Sequence, residues 1–167
     1  MKIAVVSDVH NNEVNLQKVL TYCEKNKIKK IICCGDLASE DTLDFFCDNF
    51  SGEILYTFGN MDNEQLRNFE HVDQYKNADI FEKFGEAEID GKKVAFVHFP
   101  DVAKKLCDTK KYDFVFYGHT HKPWEETQEN CKMLNPGNTA GEIYPPTFAV
   151  WETSSDEFEL IRIHDLS

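Results

Sequence analysis

Seven polar residues in this sequence carry side chains of types that can bind divalent metal ions, and they fall in short runs. The runs are Asp8-Val9-His10, Gly35-Asp36, Gly59-Asn60-Met61-Asp62, His98 and Gly118-His119-Thr120-His121. Carboxylate, imidazole and amide oxygen together suit Mn, Fe, Zn, Co or Ni, and no thiolate is required. The i, i+2 pairs Asp8/His10 and His119/His121 are expected to project to one side of an extended backbone, each offering two ligands to one centre. A single carboxylate such as Asp36 can bridge two ions through its two oxygens, holding them ~3.5–4 Å apart. Taken singly, each residue has a bland reading: an Asp after a strand caps or turns the chain, and a histidine sits on the surface. The joint pattern argues otherwise, because four of the six histidines lie in these runs. His71 and His164 lie outside them and read as structural or surface residues.

The elements that must position these side chains are legible from hydrophobic pattern. Residues 2–6, 30–34 and 53–57 read as buried strands, with helices over 12–26 and 40–49 between them. Val14, Leu16, Val19, Leu20 and Cys23 supply the apolar face of the first helix. This β-α-β-α-β order predicts a parallel sheet with helices packed on it. The second half changes character. Residues 86–90 and 92–98 flank Asp90-Gly91, a hairpin signal. A short helix over 101–108, a strand over 113–117 and strands near 124–128, 131–134, 147–152 and 157–163 follow. Each polar run directly follows a strand, which is where open α/β sheets bind ligands. Gly35, Gly59 and Gly118 each precede a proposed ligand, where the chain must turn sharply or be approached closely. Trp124, Tyr144 and Pro145-Pro146 read as core or loop packing, with a cleft lining as the alternative. The lysines at 25, 27, 29 and 30 read as a solvated helix end.

Length and composition bound the rest. The 167 residues favour one domain over 1–167, and 41% hydrophobic residues suit a globular chain. A net charge of −12 argues against a large nucleic-acid footprint. No apolar run approaches the ~18–20 residues of a membrane span. The N-terminal apolar stretch is too short for a signal peptide, so a cytoplasmic protein is expected. In that compartment the six cysteines, none in a C-x-x-C pair, are expected to be reduced and buried. Cys33 and Cys34 end a strand near the polar runs, which leaves thiolate ligation as a minor alternative.

In order and spacing the runs resemble the calcineurin-like metallophosphoesterase superfamily, and within it the small YfcE-like phosphodiesterase branch. That family's pattern is D-x-H, G-D, G-N-x-D, a post-strand His and G-H-T-H. Asn135-Pro136-Gly137-Asn138 also resembles a late loop of this branch. The resemblance spans nearly the whole chain. It implies a four-layer α/β/β/α sandwich of two mixed β-sheets flanked by helices. It also implies two divalent ions, Mn2+ first, with Ni2+, Fe2+, Co2+ or Zn2+ also suited. Asp8, His10, Asp36 and His121 would hold one ion, and Asp36, Asn60, His98 and His119 the other. Within that set Asp36, Asn60 and His98 carry the catalytic assignment. The implied reaction is hydrolysis of a small phosphate ester, diester rather than monoester, by a metal-bridging hydroxide. Two divalent ions outweigh Asp8, Asp36 and a hydroxide by one positive charge, so an anion would be attracted locally within an acidic protein. A homodimer is left open.

Three positions depart from the family pattern. Asn11 replaces the Gly usual after the first His, and Asn tolerates positive φ. Met61 stands where many relatives carry a His that binds phosphate or protonates the leaving group; Asp62 beside it reads as the cap of a short helix over 63–68. His98-Phe99-Pro100 replaces the usual His-Gly-His, which removes a second His expected near substrate. The competing reading is an interaction scaffold like Vps29, a protein of the same fold that serves in protein assembly. A dinucleotide-binding reading fails, because Ser7-Asp8-Val9-His10-Asn11-Asn12 lacks the glycines that cradle a pyrophosphate.

Overall fold

In the computed structural model, residues 1–68 and 73–167 are described. His71 lies outside them. The first half is built as the pattern predicts. β1 (Lys2–Val6), β2 (Lys30–Cys33) and β3 (Glu53–Thr57) pair in parallel, joined by α1 (Glu13–Lys25) and α2 (Glu40–Asn49). These strands are apolar on both faces because both faces are covered. Ala4, Val6, Ile31 and Cys33 pack against the helices, whereas Ile3, Val5, Ile32 and Cys34 face the second sheet. Asn12 caps α1 by accepting from Asn15 N at 3.0 Å, and Ser39 caps α2 by accepting from Thr42 N. Leu16, Val19, Leu20 and Cys23 form the buried face of α1, but Val14 is 73% exposed and does not belong to it. Four residues already fill that stripe, and Val14 falls outside its arc.

A strand that the pattern does not predict, β4 (Ala78–Phe81), extends this sheet in parallel with β3. The second sheet begins with the expected hairpin of β5 (Phe84–Ile89) and β6 (Lys92–Val97). Asp90 and Gly91 both take positive φ (50° and 77°), as a two-residue primed turn requires. Then come α3 (Pro100–Asp108), β7 (Phe114–Phe116), β8 (Trp124–Gln128), β9 (Cys131–Asn135), β10 (Thr147–Glu152) and β11 (Glu157–Arg162). A 3-10 turn at Ile163–Asp165 carries His164 on the surface.

The sheet orders are β11-β10-β1-β2-β3-β4 and β5-β6-β7-β9-β8, each mixing parallel and antiparallel pairs. The two sheets enclose one apolar layer that includes Trp151, Phe96, Phe114 and Phe116. α1 and α2 cover the outer face of the first sheet, and α3 covers that of the second. This is the α/β/β/α sandwich. No helix among the described residues is long and apolar enough to cross a membrane.

Two cysteines depart from expectation. Cys107, at the end of α3, and Cys131, opening β9, are joined in a disulfide with Cα atoms 5.6 Å apart. The reason is packing: α3 lies on β9 in the same apolar cluster and brings both thiols to one place. Cys23, Cys33, Cys34 and Cys47 are free.

Trp151 is fully buried, with its ring 4.7 Å from Phe114 and 5.7 Å from Phe116 between the sheets. Trp151→Ala should lower stability by about 3–5 kcal/mol, read from urea denaturation.

Candidate metal centre

All seven predicted residues reach one place. The loop after β1 brings Asp8 and His10, the loop after β2 brings Asp36, and the loop after β3 brings Asn60. From the second sheet, the loop after β6 brings His98 and the loop after β7 brings His119 and His121. His10 Nε2 lies 3.5 Å from Asp8 Oδ1 and 3.3 Å from Asp36 Oδ2. His121 Nε2 lies 3.3 Å from Asp8 Oδ1, and His98 Nε2 lies 3.3 Å from Asp36 Oδ2. Asn60 Oδ1 faces His98 Nε2 at 2.8 Å and His119 Nδ1 at 3.1 Å. Asp8, His10 and His121 form one group that could hold a metal ion, and Asp8, Asp36 and His98 another.

The donors fit a cation. Ligands held ~2.1 Å from a common ion stand roughly 3.0–3.4 Å from one another, close to the spacing found here. Asp8 Oδ1 and His10 Nε2 are buried with no hydrogen-bond partner among the described residues. Buried polar atoms are rarely left so, and both orphans point at the shared centre. Histidine ligands are usually held by an acceptor on the second ring nitrogen, and three are here. His98 Nδ1 donates to Cys34 O at 2.8 Å, His121 Nδ1 to Glu142 O at 3.2 Å, and His10 Nδ1 faces Glu142 Oε2 at 3.3 Å.

Two geometric expectations need correction. The i, i+2 pairs do not sit in extended backbone. Asp8, His10, His119 and His121 all take positive φ (53°, 47°, 71° and 62°), so left-handed turns converge each pair. Nor are both oxygens of Asp36 free to bridge. Oδ1 accepts from Met61 N at 2.8 Å, which leaves Oδ2 facing both His10 and His98. Asn11 behaves as expected at φ 61°, and its Oδ1 also accepts from Ser39 Oγ at 2.5 Å and Thr42 Oγ1 at 2.9 Å at the start of α2.

Close approach explains the glycines. A Cβ at Gly59 would lie 2.1 Å from Asp36 Oδ1, and one at Gly118 would lie 1.9 Å from Ser7 Oγ.

Several residues that matter here were not read from the sequence. Asp62 is not a helix cap: residues 64–67 form only a turn, whose amide at Leu66 is capped by Asn63. Asp62 is buried and accepts from Asp36 N at 3.0 Å, Ala38 N at 2.9 Å and Gly59 N at 2.6 Å, binding two ligand loops together. Ser7 Oγ donates to Asp8 Oδ2 at 2.7 Å, and His119 N donates to the same oxygen at 3.0 Å. Asn135 Nδ2 donates to Gly118 O and Thr120 Oγ1, both at 3.0 Å. Asn138 Oδ1 accepts from Gly141 N at 2.6 Å and Glu142 N at 2.8 Å. The late Asn-Pro-Gly-Asn loop therefore props the His119–His121 loop and the Glu142 segment behind His10 and His121. That loop and Asp62, the last residue of the G-N-x-D run, had a sequence signal; the bracing role of Asp62 did not. Neither Cys33 nor Cys34 belongs to a candidate ligand group among the described residues; burial pushes both thiols well up, and Cys34 contributes its carbonyl to His98.

The charges are mutually dependent. The Asp36 and Asp8 carboxylates beside it raise His10 to about 10 against some burial. Burial works to raise Asp8, but the neighbouring His10 and His121 imidazoles outweigh it and hold the carboxyl at about 2. Asp36 is likewise lowered despite burial by His10 and His98.

The family model of the calcineurin-like phosphoesterase superfamily domain matches residues 1–156. The chain belongs to that superfamily. Within the superfamily, Phosphodiesterase MJ0936 of Methanocaldococcus jannaschii is 29% identical over 164 residues, covering 96% of this chain and 98% of its own. YfcE, a phosphoesterase from E. coli, shares the fold at TM-score 0.75 and 17% identity, covering 100% of this chain and 96% of its own. Vps29 from Cryptosporidium parvum shares it at TM-score 0.68 and 16% identity, covering 96% and 95%. These last two likenesses speak for the fold alone.

Glu142 meets a histidine with both its side chain and its backbone carbonyl. Glu142→Ala removes the His10 acceptor and keeps the carbonyl under His121. It should weaken metal affinity about tenfold, measured by competition with a metallochromic chelator. The raised His10 sets a pH dependence. In the metal-free protein it is protonated below about 10, and a metal must displace that proton, whereas Asp8 is already ionised. Metal binding at pH 7 should release protons, read by calorimetry in buffers of different ionisation enthalpy. Affinity should rise with pH and level off near 10. Binding without proton release would contradict this assignment.

Proposed function

We propose that this chain hydrolyses a small phosphodiester at a centre of two divalent metal ions, with Mn2+ the first candidate. The observation that carries the reading is the convergence of seven donors from both sheets on two orphaned buried atoms, Asp8 Oδ1 and His10 Nε2. Asp8, His10, Asp36 and His121 would hold one ion; Asp36, Asn60, His98 and His119 would hold the other. Asp36 would be shared through Oδ2, since Oδ1 is engaged by Met61 N. When bound, such ions lower the pKa of water to give a nucleophile near neutral pH and offset charge on the phosphoryl oxygens.

The chain's own residues do the rest. Asn60 and His119 are exposed beside the buried Asp8, Asp36 and His98, so substrate reaches the centre from their side. Cys34 O and Glu142 hold imidazoles in the tautomer with Nε2 directed at the centre. Met61 has no proton to give, which favours esters whose leaving group needs none. The name of the jannaschii relative supports diester over monoester chemistry. The guanidinium of the Asn60 loop, turned to backbone carbonyls, agrees with a singly charged ester. Arg67, the arginine of the Asn60 loop, directs Nε at Asp62 O at 2.9 Å and Nη2 at Gly59 O. Scaffolding of the Vps29 kind would need none of these donors aligned.

Purified protein with Mn2+ should hydrolyse bis(p-nitrophenyl) phosphate. Asp36→Asn and His98→Ala should each reduce the rate at least ~100-fold while the protein stays folded by circular dichroism. Absence of turnover with every one of Mn2+, Ni2+, Co2+, Fe2+ and Zn2+ would sink the enzymatic reading. A stable complex recovered from cells by a catalytically silent protein would favour the scaffold.

A further inference from the structure

Nine large apolar side chains are exposed among the described residues, and four of them adjoin the metal centre: Met61, Phe99, Ile143 and Tyr144. Scatter over the surface would not gather them there. Met61 follows Asn60. Phe99 follows His98 and lies with its ring 5.1 Å from both the His98 and the His119 rings. Ile143 and Tyr144 follow Glu142, whose oxygens hold His10 and His121 on the opposite flank.

Ile143 is the telling residue. Its side chain is 86% exposed, and its backbone takes φ 68°. A β-branched residue in left-handed backbone is strained by ~1–3 kcal/mol, and the surrounding structure must enforce it. The enforcement is visible. Asn138 accepts from Gly141 N and Glu142 N and donates to Tyr144 O at 3.2 Å, Tyr144 N donates to Glu142 O at 2.7 Å, and Pro145-Pro146 follow. The fold gains nothing from isoleucine here. Asn would relieve the strain, and any polar side chain would be better hydrated. Phe99 is comparable. It occupies the cap position of α3 without making a cap hydrogen bond, where Ser would make one, and Pro100 fixes the turn behind it.

We infer that Phe99 and Ile143, flanked by Met61 and Tyr144, form a rigid apolar rim that selects phosphodiesters carrying an aromatic or otherwise apolar ester arm. This rests on the proposed reading of the centre as a phosphoester site. The rim's chemistry agrees with a singly charged diester. A phosphomonoester dianion would meet the Glu142 carboxylate and four apolar side chains, with no side-chain cation among them to offset its second charge.

Binding, rather than turnover, tests the rim. In the Zn2+-loaded protein, diphenyl phosphate and dimethyl phosphate carry the same charge and differ only in their arms. Calorimetry should give diphenyl phosphate at least about tenfold tighter binding, and the Ile143 methyl resonances should shift with it and not with dimethyl phosphate. Ile143→Asn and Phe99→Ser, both compatible with the local backbone, should each cut that advantage severalfold, and together bring it close to one. Equal affinities in the parent protein, or an advantage that survives the double variant, would overturn the inference. Hydrolysis of bis(p-nitrophenyl) phosphate is assayed separately. Its absence would remove the enzymatic reading and leave the binding comparison to decide the rim on its own.

Discussion

Asp8 and Asp36 are two carboxylates buried side by side at the meeting point of two sheets, and most of the local structure follows from keeping them charged there. Burial of an isolated carboxylate costs several kcal/mol, so such a pair persists only with positive charge or donors on every free lone pair. The imidazoles of His10, His98 and His121 supply the first, and Ser7, the His119 amide and the Met61 amide supply the second. What is left over, Asp8 Oδ1 and Asp36 Oδ2, points at one centre. The packing of helices on sheets matters to function mainly because it fixes where five strand ends deliver these groups.

The delivery is strained. Five of the seven donors, Asp8, His10, Asp36, His119 and His121, take positive φ, which costs a non-glycine residue about 1 kcal/mol or more. Backbone hydrogen bonds between these loops help to hold the strain. Asp8 N donates to Gly35 O at 3.0 Å, His10 N to Asp36 O at 3.0 Å, Gly118 N to His98 O at 3.0 Å and Ala140 N to Asp8 O at 2.9 Å. Asp62 adds three more amides from the Asp36 and Asn60 loops. Each loop is thus set by its neighbours.

Much of this was readable in the residues, and the unread part has a common physical cause. Strands buried on both faces announce themselves as continuous apolar runs, and donor types announce their chemistry, so β1–β3 and the gathering of seven candidate donors were legible. Ala78–Phe81 was not, because an edge strand of mixed polarity carries no period of its own. The disulfide between Cys107 and Cys131 depends on α3 lying across β9, which no local spacing encodes. Asp62 and Glu142 look like ordinary turn acids until the loops they brace are brought together. The left-handed backbone of the D-x-H and H-T-H runs was misread as extended, because positive φ leaves a sequence trace only where Gly or Asn takes it, as at Asn11.

The two halves of the centre are built unequally, and that inequality bears on how it would work. Asp8 is fully buried and His121 is nearly so, and both imidazoles of that half have an acceptor behind them. In the other half Asn60 and His119 are exposed, and only His98 is both buried and backed by a carbonyl. On the two-ion reading, the first half resembles a structural site, closed and preorganised, whereas the second keeps the open face that a reacting ligand needs. Ordering donors in advance raises affinity by removing an entropic cost, so the buried half would fill first and more tightly. On that reading the exposed second half is the side where a substrate would need room. The candidate donors then form the floor, set by strand ends of both sheets. Selection, on the inference drawn above, would fall to the side chains at 61, 99 and 143, none of which is a candidate donor.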